Sequence, residues 1–268
     1  FCLHPLEVPG DADLVVVGNP TNPTSRLHPA RALRAIRDAG PADRMLLVDE
    51  AFMDLVPDQP QSLLAEAATG GAQTRSGSGR LCVVRSLTKA FGLAGVRAGY
   101  VVGDPDFIAR LRELQPPWSV NTLALAATAA VSGSRGCAHL DFYSAGLVSQ
   151  RRHLVTALSR AGLAVVPEPA GPFVLARHRN AWQLRESLRR RGISVRRGDT
   201  FPGLGSQWLR FAVRNSDTTD HVTAEIMAVC QELERSADRR PPARRSEAAA
   251  TASPGATTRP PMTPEDSR

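Results

Sequence analysis

Of the 33 Lys and Arg side chains in this sequence, 32 are Arg and only Lys89 is Lys. A guanidinium stays protonated and is a poor nucleophile, whereas an amine can lose its proton and attack a carbonyl. A chain that uses Arg almost everywhere for positive charge, yet keeps one amine, points to carbonyl condensation at that position. The neighbours of Lys89 suit a ligand that carries an anion. Ser86 lies three residues before it and Arg97 eight after it, and both can bind a phosphate, Arg through paired hydrogen bonds. Gly92, Gly95 and Gly99 let backbone come close to a ligand. Nearby cations also favour the neutral, nucleophilic form of an amine in such a pocket.

Two further groups could share the chemistry. Asp49 closes the apolar run Met45–Val48, and Asn22 sits in Asn19-Pro20-Thr21-Asn22-Pro23-Thr24. Two prolines stiffen that loop, so the Asn amide can be presented as a fixed donor. Taken alone, Asp49 also reads as a helix cap or surface acid, and Asn22 as part of an ordinary turn.

The elements that must position these groups alternate in type. Leu14–Val17, Met45–Val48, Leu81–Arg85 and Gly99–Val102 read as strands, the first two as buried ones. Pro29–Ala39, Ser62–Ala68 and Pro105–Leu114 read as helices, the last capped by Asp104, with a flexible loop expected over Gly70–Gly79. This is an α/β pattern with a largely parallel sheet, in which ligands sit beyond the carboxyl ends of strands. Asn22, Asp49 and Lys89 all lie at or just past such ends, so one crevice could gather them.

After Trp118 the pattern changes to helices at Asn121–Val131, Phe142–Ala161, Ala181–Arg191 and Thr219–Glu234, with short strands at Val165–Val166, Phe173–Ala176 and Trp208–Val213. We therefore expect a large domain over residues 1–140, a smaller α+β domain over 141–235, and a disordered tail over 236–268, where Pro, Ala, Arg, Ser and Thr dominate.

Composition narrows the alternatives. The net charge of +7 invites a nucleic-acid reading, but the tail from Ser236 supplies +2 of it, and aromatics are only 5% of the chain. No basic stripe interleaved with aromatics appears, so no nucleic-acid partner is expected. No apolar run approaches the ~18–20 residues of a membrane helix, and no signal peptide is evident, so no membrane association is expected. The four cysteines are scattered without CxxC spacing or a His cluster. No metal site or disulfide framework is expected, and the reading is cytoplasmic.

Four ordered segments resemble the class I/II aminotransferase family, of pyridoxal-phosphate (PLP) fold type I. They are Asn19-Pro20-Thr21-Asn22-Pro23-Thr24, Asp49-Glu50-Ala51-Phe52, Ser86-Leu87-Thr88-Lys89-Ala90-Phe91-Gly92 and Ala94-Gly95-Val96-Arg97-Ala98-Gly99-Tyr100. The resemblance covers roughly Leu14 to Glu234. It implies PLP as cofactor, held by Lys89 as a Schiff base, with Asp49 at the pyridine nitrogen to keep the ring an electron sink. It implies Asn22 on the ring oxygen, Phe52 beside the ring, and Ser86 and Arg97 on the cofactor phosphate. Leu209-Arg210-Phe211 resembles a late motif whose Arg grips the substrate carboxylate, and Arg214 would act with Arg210 in orienting the substrate. The resemblance further implies an amino-acid substrate and a homodimer.

Phe52 stands where many members have Tyr, and Ser25 where many have Gly. Asp49–Phe52, Pro116–Asn121 and Arg210–Arg214 look like the cobalamin-pathway branch, which holds threonine-phosphate decarboxylase. Histidinol-phosphate aminotransferase is a neighbouring alternative. Family members carry an upstream phosphate loop and a ring-stacking aromatic that would precede Phe1, so the amino-terminal part is expected to be missing. That expectation also motivates a third reading, a non-catalytic remnant.

Overall fold

The computed structural model describes residues 8–69 and 80–238. The first sheet has the order β1 (Leu14–Gly18), β2 (Met45–Asp49), β3 (Arg80–Arg85), β4 (Tyr100–Gly103). β1, β2 and β3 are parallel, and β4 pairs antiparallel with β3. The expected parallel sheet thus ends in a reversed strand, and Gly99 lets the start of that strand lie close against the end of β3: a Cβ there would lie 2.6 Å from the Arg85 carbonyl oxygen. α1 (Ala30–Asp38) covers one face, with Leu33 and Ile36 on its inner side packed on Val17, Leu46, Val48 and Val83. The other side of β1 exposes Leu14 and Val16, so the strand expected to be buried has one open face.

Past β3 come the single-turn helix α3 (Leu87–Ala90), then α4 (Pro105–Leu114) and α5 (Thr122–Val131). α2 (Leu64–Ala68) lies between β2 and β3. Asp104 caps α4 by accepting from the Asp106 and Phe107 N–H groups, each at 3.1 Å, and Asn121 caps α5 by accepting from Ala124 N at 2.8 Å. α6 (Ser134–Arg160) starts eight residues before the expected Phe142. Its buried Leu147, Leu154 and Leu158 recur at helical spacing. They lie on the side that faces the second sheet.

That sheet is antiparallel, in the order β5 (Ala164–Val165), β6 (Phe173–Arg177), β8 (Trp208–Ala212), β7 (Arg196–Arg197). α7 (Ala181–Arg190) and α8 (Ser216–Asp238) pack their Leu184, Leu188, Ile226 and Val229 into the core. The described residues up to Gln231 form one compact unit, and a second begins at Glu232. Of the second unit, Glu232–Asp238 continue α8. The expected tail begins at Ser236, but Ser236–Asp238 lie in α8 instead; the rest of that tail, from Arg239 onward, and the expected loop Gly70–Gly79 lie outside the described residues.

Candidate active site

The Asn22 loop is clamped by side chains to either side of it. The buried Asn19 side chain accepts from His28 N at 2.8 Å and donates to the carbonyls of His28 and Gln61 at 3.3 and 3.4 Å. The Thr21 hydroxyl donates to the Gly18 carbonyl at 2.8 Å and sits 2.7 Å from His28 Nε2. Burial, and then the nearby Arg26, lower the His28 pKa from its usual value. Ser25 is fully buried with φ 62°, the left-handed region that favours glycine. This accounts for the Gly that is common at the end of such loops. Ser25 compensates with its side chain, whose Oγ accepts from Gly171 N at 2.7 Å, while its carbonyl accepts from Ala170 N at 2.7 Å. The loop is thereby tied to the segment that leads into β6.

At the end of β2 two adjacent acids part ways. The Asp49 side chain is exposed and accepts from Ala51 N at 3.0 Å. Glu50 is fully buried, 2.7 Å from the Arg85 guanidinium, and also accepts from Leu63 N at 2.7 Å and the Ser62 hydroxyl at 2.8 Å. Arg85 further engages Asp54 and, at 2.7 Å, Gln59. A buried ion pair with its remaining valences satisfied thus locks the carboxyl ends of β2 and β3 side by side.

Immediately beyond β3, α3 presents Lys89, whose Nζ stands 5.8 Å from the Phe52 ring centroid. Phe52 meets Phe173 of β6 edge to face, with centroids 5.1 Å apart. Arg210 of β8 lies 4.9 Å over the Phe173 ring and donates from Nη1 to Asn22 Oδ1 at 2.6 Å. Burial, and then Arg196, push the Arg210 pKa below its usual value.

These residues open on one cleft of about 740 Å³. Of the residues singled out in the sequence, it gathers Asn22, Phe52, Lys89, Arg210 and Arg214. Asp49, Ser86 and Arg97 are not among its lining residues. Ser86 Oγ is 2.8 Å from the Thr88 hydroxyl, and the exposed Arg97 donates to the Ala94 carbonyl at 3.1 Å.

The cleft also holds residues that sequence reasoning missed. Arg196 comes from the two-residue strand β7, too short for periodicity to reveal and one of 32 arginines. Phe91, His139 and Tyr143 form a stacked series along the lining, with centroids 6.0 and 6.2 Å apart. No Asp or Glu lines the cleft, whereas one Lys and three Arg do. Chemically it offers an amine, an amide, guanidinium groups and aromatic edges, a donor set suited to a flat, anionic carbonyl compound and an anionic substrate.

The family model for aminotransferase class I and II matches residues 6–226. A histidinol-phosphate aminotransferase of Mycobacterium bovis is 45% identical over 214 residues, 80% of this chain and 55% of that protein. A threonine-phosphate decarboxylase of a Sinorhizobium species is 37% identical over 216 residues, 80% of this chain and 59% of that one. The chain therefore spans little more than half the length of the curated relatives it matches. Among solved structures, the histidinol-phosphate aminotransferase of Clostridium acetobutylicum superposes with a TM-score of 0.72 at 25% identity, over 82% of this chain and 64% of the other. With the family model covering most of its length, the chain belongs to the class I and II aminotransferase family.

Proposed function

We propose that the chain is a PLP-dependent enzyme that transfers the amino group of a substrate bearing a phosphate or carboxylate, as a transaminase of the histidinol-phosphate type. The observation that carries this is the meeting of the sole lysine with Asn22, Arg196, Arg210 and Arg214 in a cleft whose lining holds no carboxylate. A relative at 45% identity bears the corresponding name, and a solved neighbour of the same fold, from Sinorhizobium meliloti, is in complex with pyridoxal-5'-phosphate.

In this reading Lys89 Nζ would hold the cofactor covalently, with Phe52 beside the ring and Asn22 as donor to the ring oxygen. The bound cofactor supplies an electron sink that weakens the bonds at the substrate Cα. Once displaced by the substrate amine, Lys89 Nζ would be free to take the proton from the substrate Cα and deliver it to the cofactor carbon it had held. Arg210, held by Asn22, grips the anionic group of the substrate, while Arg196 and Arg214 add positive charge on the same side. Asp49 at the ring nitrogen, and Ser86 and Arg97 on the cofactor phosphate, rest on the motif resemblance. We further infer a division into a cofactor-binding part, residues 1–140, and a smaller part, 141–235. A homodimer is supported by exposed apolar side chains such as Trp118 (97% exposed), Leu114 and Phe142 (both 82%). A reducing cytoplasm is supported by Cys82 and Cys137, which form no disulfide among the described residues. Among the described residues, no helix is long and apolar enough to cross a membrane.

A second reading, a threonine-phosphate decarboxylase serving cobalamin synthesis, is favoured by the Asp49–Phe52 segment and the Sinorhizobium relative. Product analysis separates the two. The full chain, supplied with PLP, is given histidinol phosphate with 2-oxoglutarate, or threonine phosphate alone. Glutamate formed in the first mixture supports the transaminase, and carbon dioxide from the second supports the decarboxylase. Neither product would favour the non-catalytic remnant.

A further inference from the structure

A second cavity, of about 360 Å³, lies behind β8 against the first turns of α8. Its apolar wall is built from Leu154, Ile193, Val195, Phe211 and Val222. Its polar side is unlike an ordinary packing defect. Thr219 is 2% exposed, and among the described residues its hydroxyl has no hydrogen-bond partner. A buried hydroxyl with no partner is costly and is normally satisfied by water or a ligand. Thr218, His221 and Arg214 line the same cavity. Asn215 Oδ1 takes the Thr218 N–H at 3.1 Å, and Arg191 is held by Glu225 at 2.5 Å. The side chains of Arg214 and His221, both exposed, make no hydrogen bond or ion pair among the described residues. No Asp or Glu lines the cavity, although Asp217 lies in the same turn of α8. The positive end of a 23-residue helix adds to the same sign of field.

We propose that this cavity is an effector site for a small organic anion with an apolar body. Its carboxylate or phosphate would be held by Thr218, Thr219, His221 and Arg214, and its hydrocarbon part would lie on Phe211 and Ile193. Arg214 also lines the Lys89 cleft. An anion in the second cavity draws that guanidinium away, so occupancy weakens anion binding in the cleft. The site stands on its own geometry and does not depend on the cofactor assignment.

The test is calorimetric titration of the full chain with phenyl phosphate and, separately, inorganic phosphate. Phenyl phosphate is expected to show a binding event that Thr219→Val and His221→Gln each weaken at least about fivefold and that Arg196→Ala leaves in place. Prior saturation of that event should lower inorganic phosphate affinity at the cleft about fivefold, the small end of ordinary coupling between sites. Binding lost in Arg196→Ala but unchanged in Thr219→Val and His221→Gln would assign all of it to the cleft and overturn the proposal. Absence of phenyl phosphate binding to a folded wild-type chain would overturn it as well.

Discussion

Arg210 Nη1 donates to Asn22 Oδ1 across 2.6 Å, although 188 residues of sequence separate them. The contact joins the loop after β1 to the second sheet, and it fixes a guanidinium that lines the same cleft as Lys89. Phe52, past the end of β2, joins the second sheet in turn through its ring contact with Phe173. The two sheets therefore meet at the cleft through side chains given roles in binding.

Truncating either member of the Asn22–Arg210 pair should harm turnover more than folding, since both side chains are at least partly exposed. Arg210→Lys keeps the charge but loses the planar, bidentate fork. We expect it to lower kcat/KM about 10- to 100-fold, consistent with a loss of ~1.5–3 kcal/mol for a charge-assisted hydrogen bond. A double-mutant cycle with Asn22→Ala, read in kcat/KM, should show non-additivity of about 0.5–3 kcal/mol. Additive losses would mean that the two side chains act apart.

Ser25 makes a less familiar prediction. Ser25→Ala removes the acceptor of the buried Gly171 N–H while keeping the left-handed backbone, and it should cost about 1–3 kcal/mol in urea denaturation. Ser25→Gly loses the same acceptor but relieves ~1–2 kcal/mol of left-handed strain. Glycine should therefore be the milder substitution. Equal losses would show that the hydrogen bond alone matters.

Glu50 should tolerate change worse than Asp49. Glu50→Ala leaves the Arg85 charge buried without its main partner and should cost about 3–5 kcal/mol. Asp49→Ala, at an exposed side chain, should leave the urea midpoint within ~0.5 kcal/mol of wild type. Its effect, under the proposed function, falls on cofactor retention.

How far the sequence reveals this arrangement can be judged at that pair of acids. Asp49 and Glu50 are adjacent, and strand-end position alone draws attention to the first. Only the fold shows that the second is paired with Arg85. Lys89 stood out because a biased composition made one amine conspicuous, whereas Arg196 was hidden by the same bias. The strands of the first sheet were legible from their apolar runs. The reversal of β4 was not, since an apolar run marks a strand but not its direction. Nor was the early start of α6, because Ser134–Asp141 carries few of the buried leucines that mark the rest of the helix.

His28 gives the fold a pH dependence near the site. Its folded-state pKa lies below the usual 6.5, set first by burial. Between the folded and unfolded values the unfolded chain binds more protons, so stability rises with pH. The contribution is fully present above about pH 6.5 and is lost as pH falls through the folded value. Urea midpoints should fall from pH 7.5 to 5.0, and His28→Gln should flatten part of that change. An NMR titration placing the His28 pKa above 6.5 would reverse the sign.

The most direct test of the central claim uses the composition itself. The full chain is incubated with PLP, reduced with borohydride, digested and mapped by mass spectrometry. With one lysine in 268 residues, the side-chain attachment point is unambiguous. We expect a phosphopyridoxyl group on the peptide containing Lys89, absent in Lys89→Ala. An unmodified Lys89 in a folded, cofactor-saturated sample would contradict the assignment.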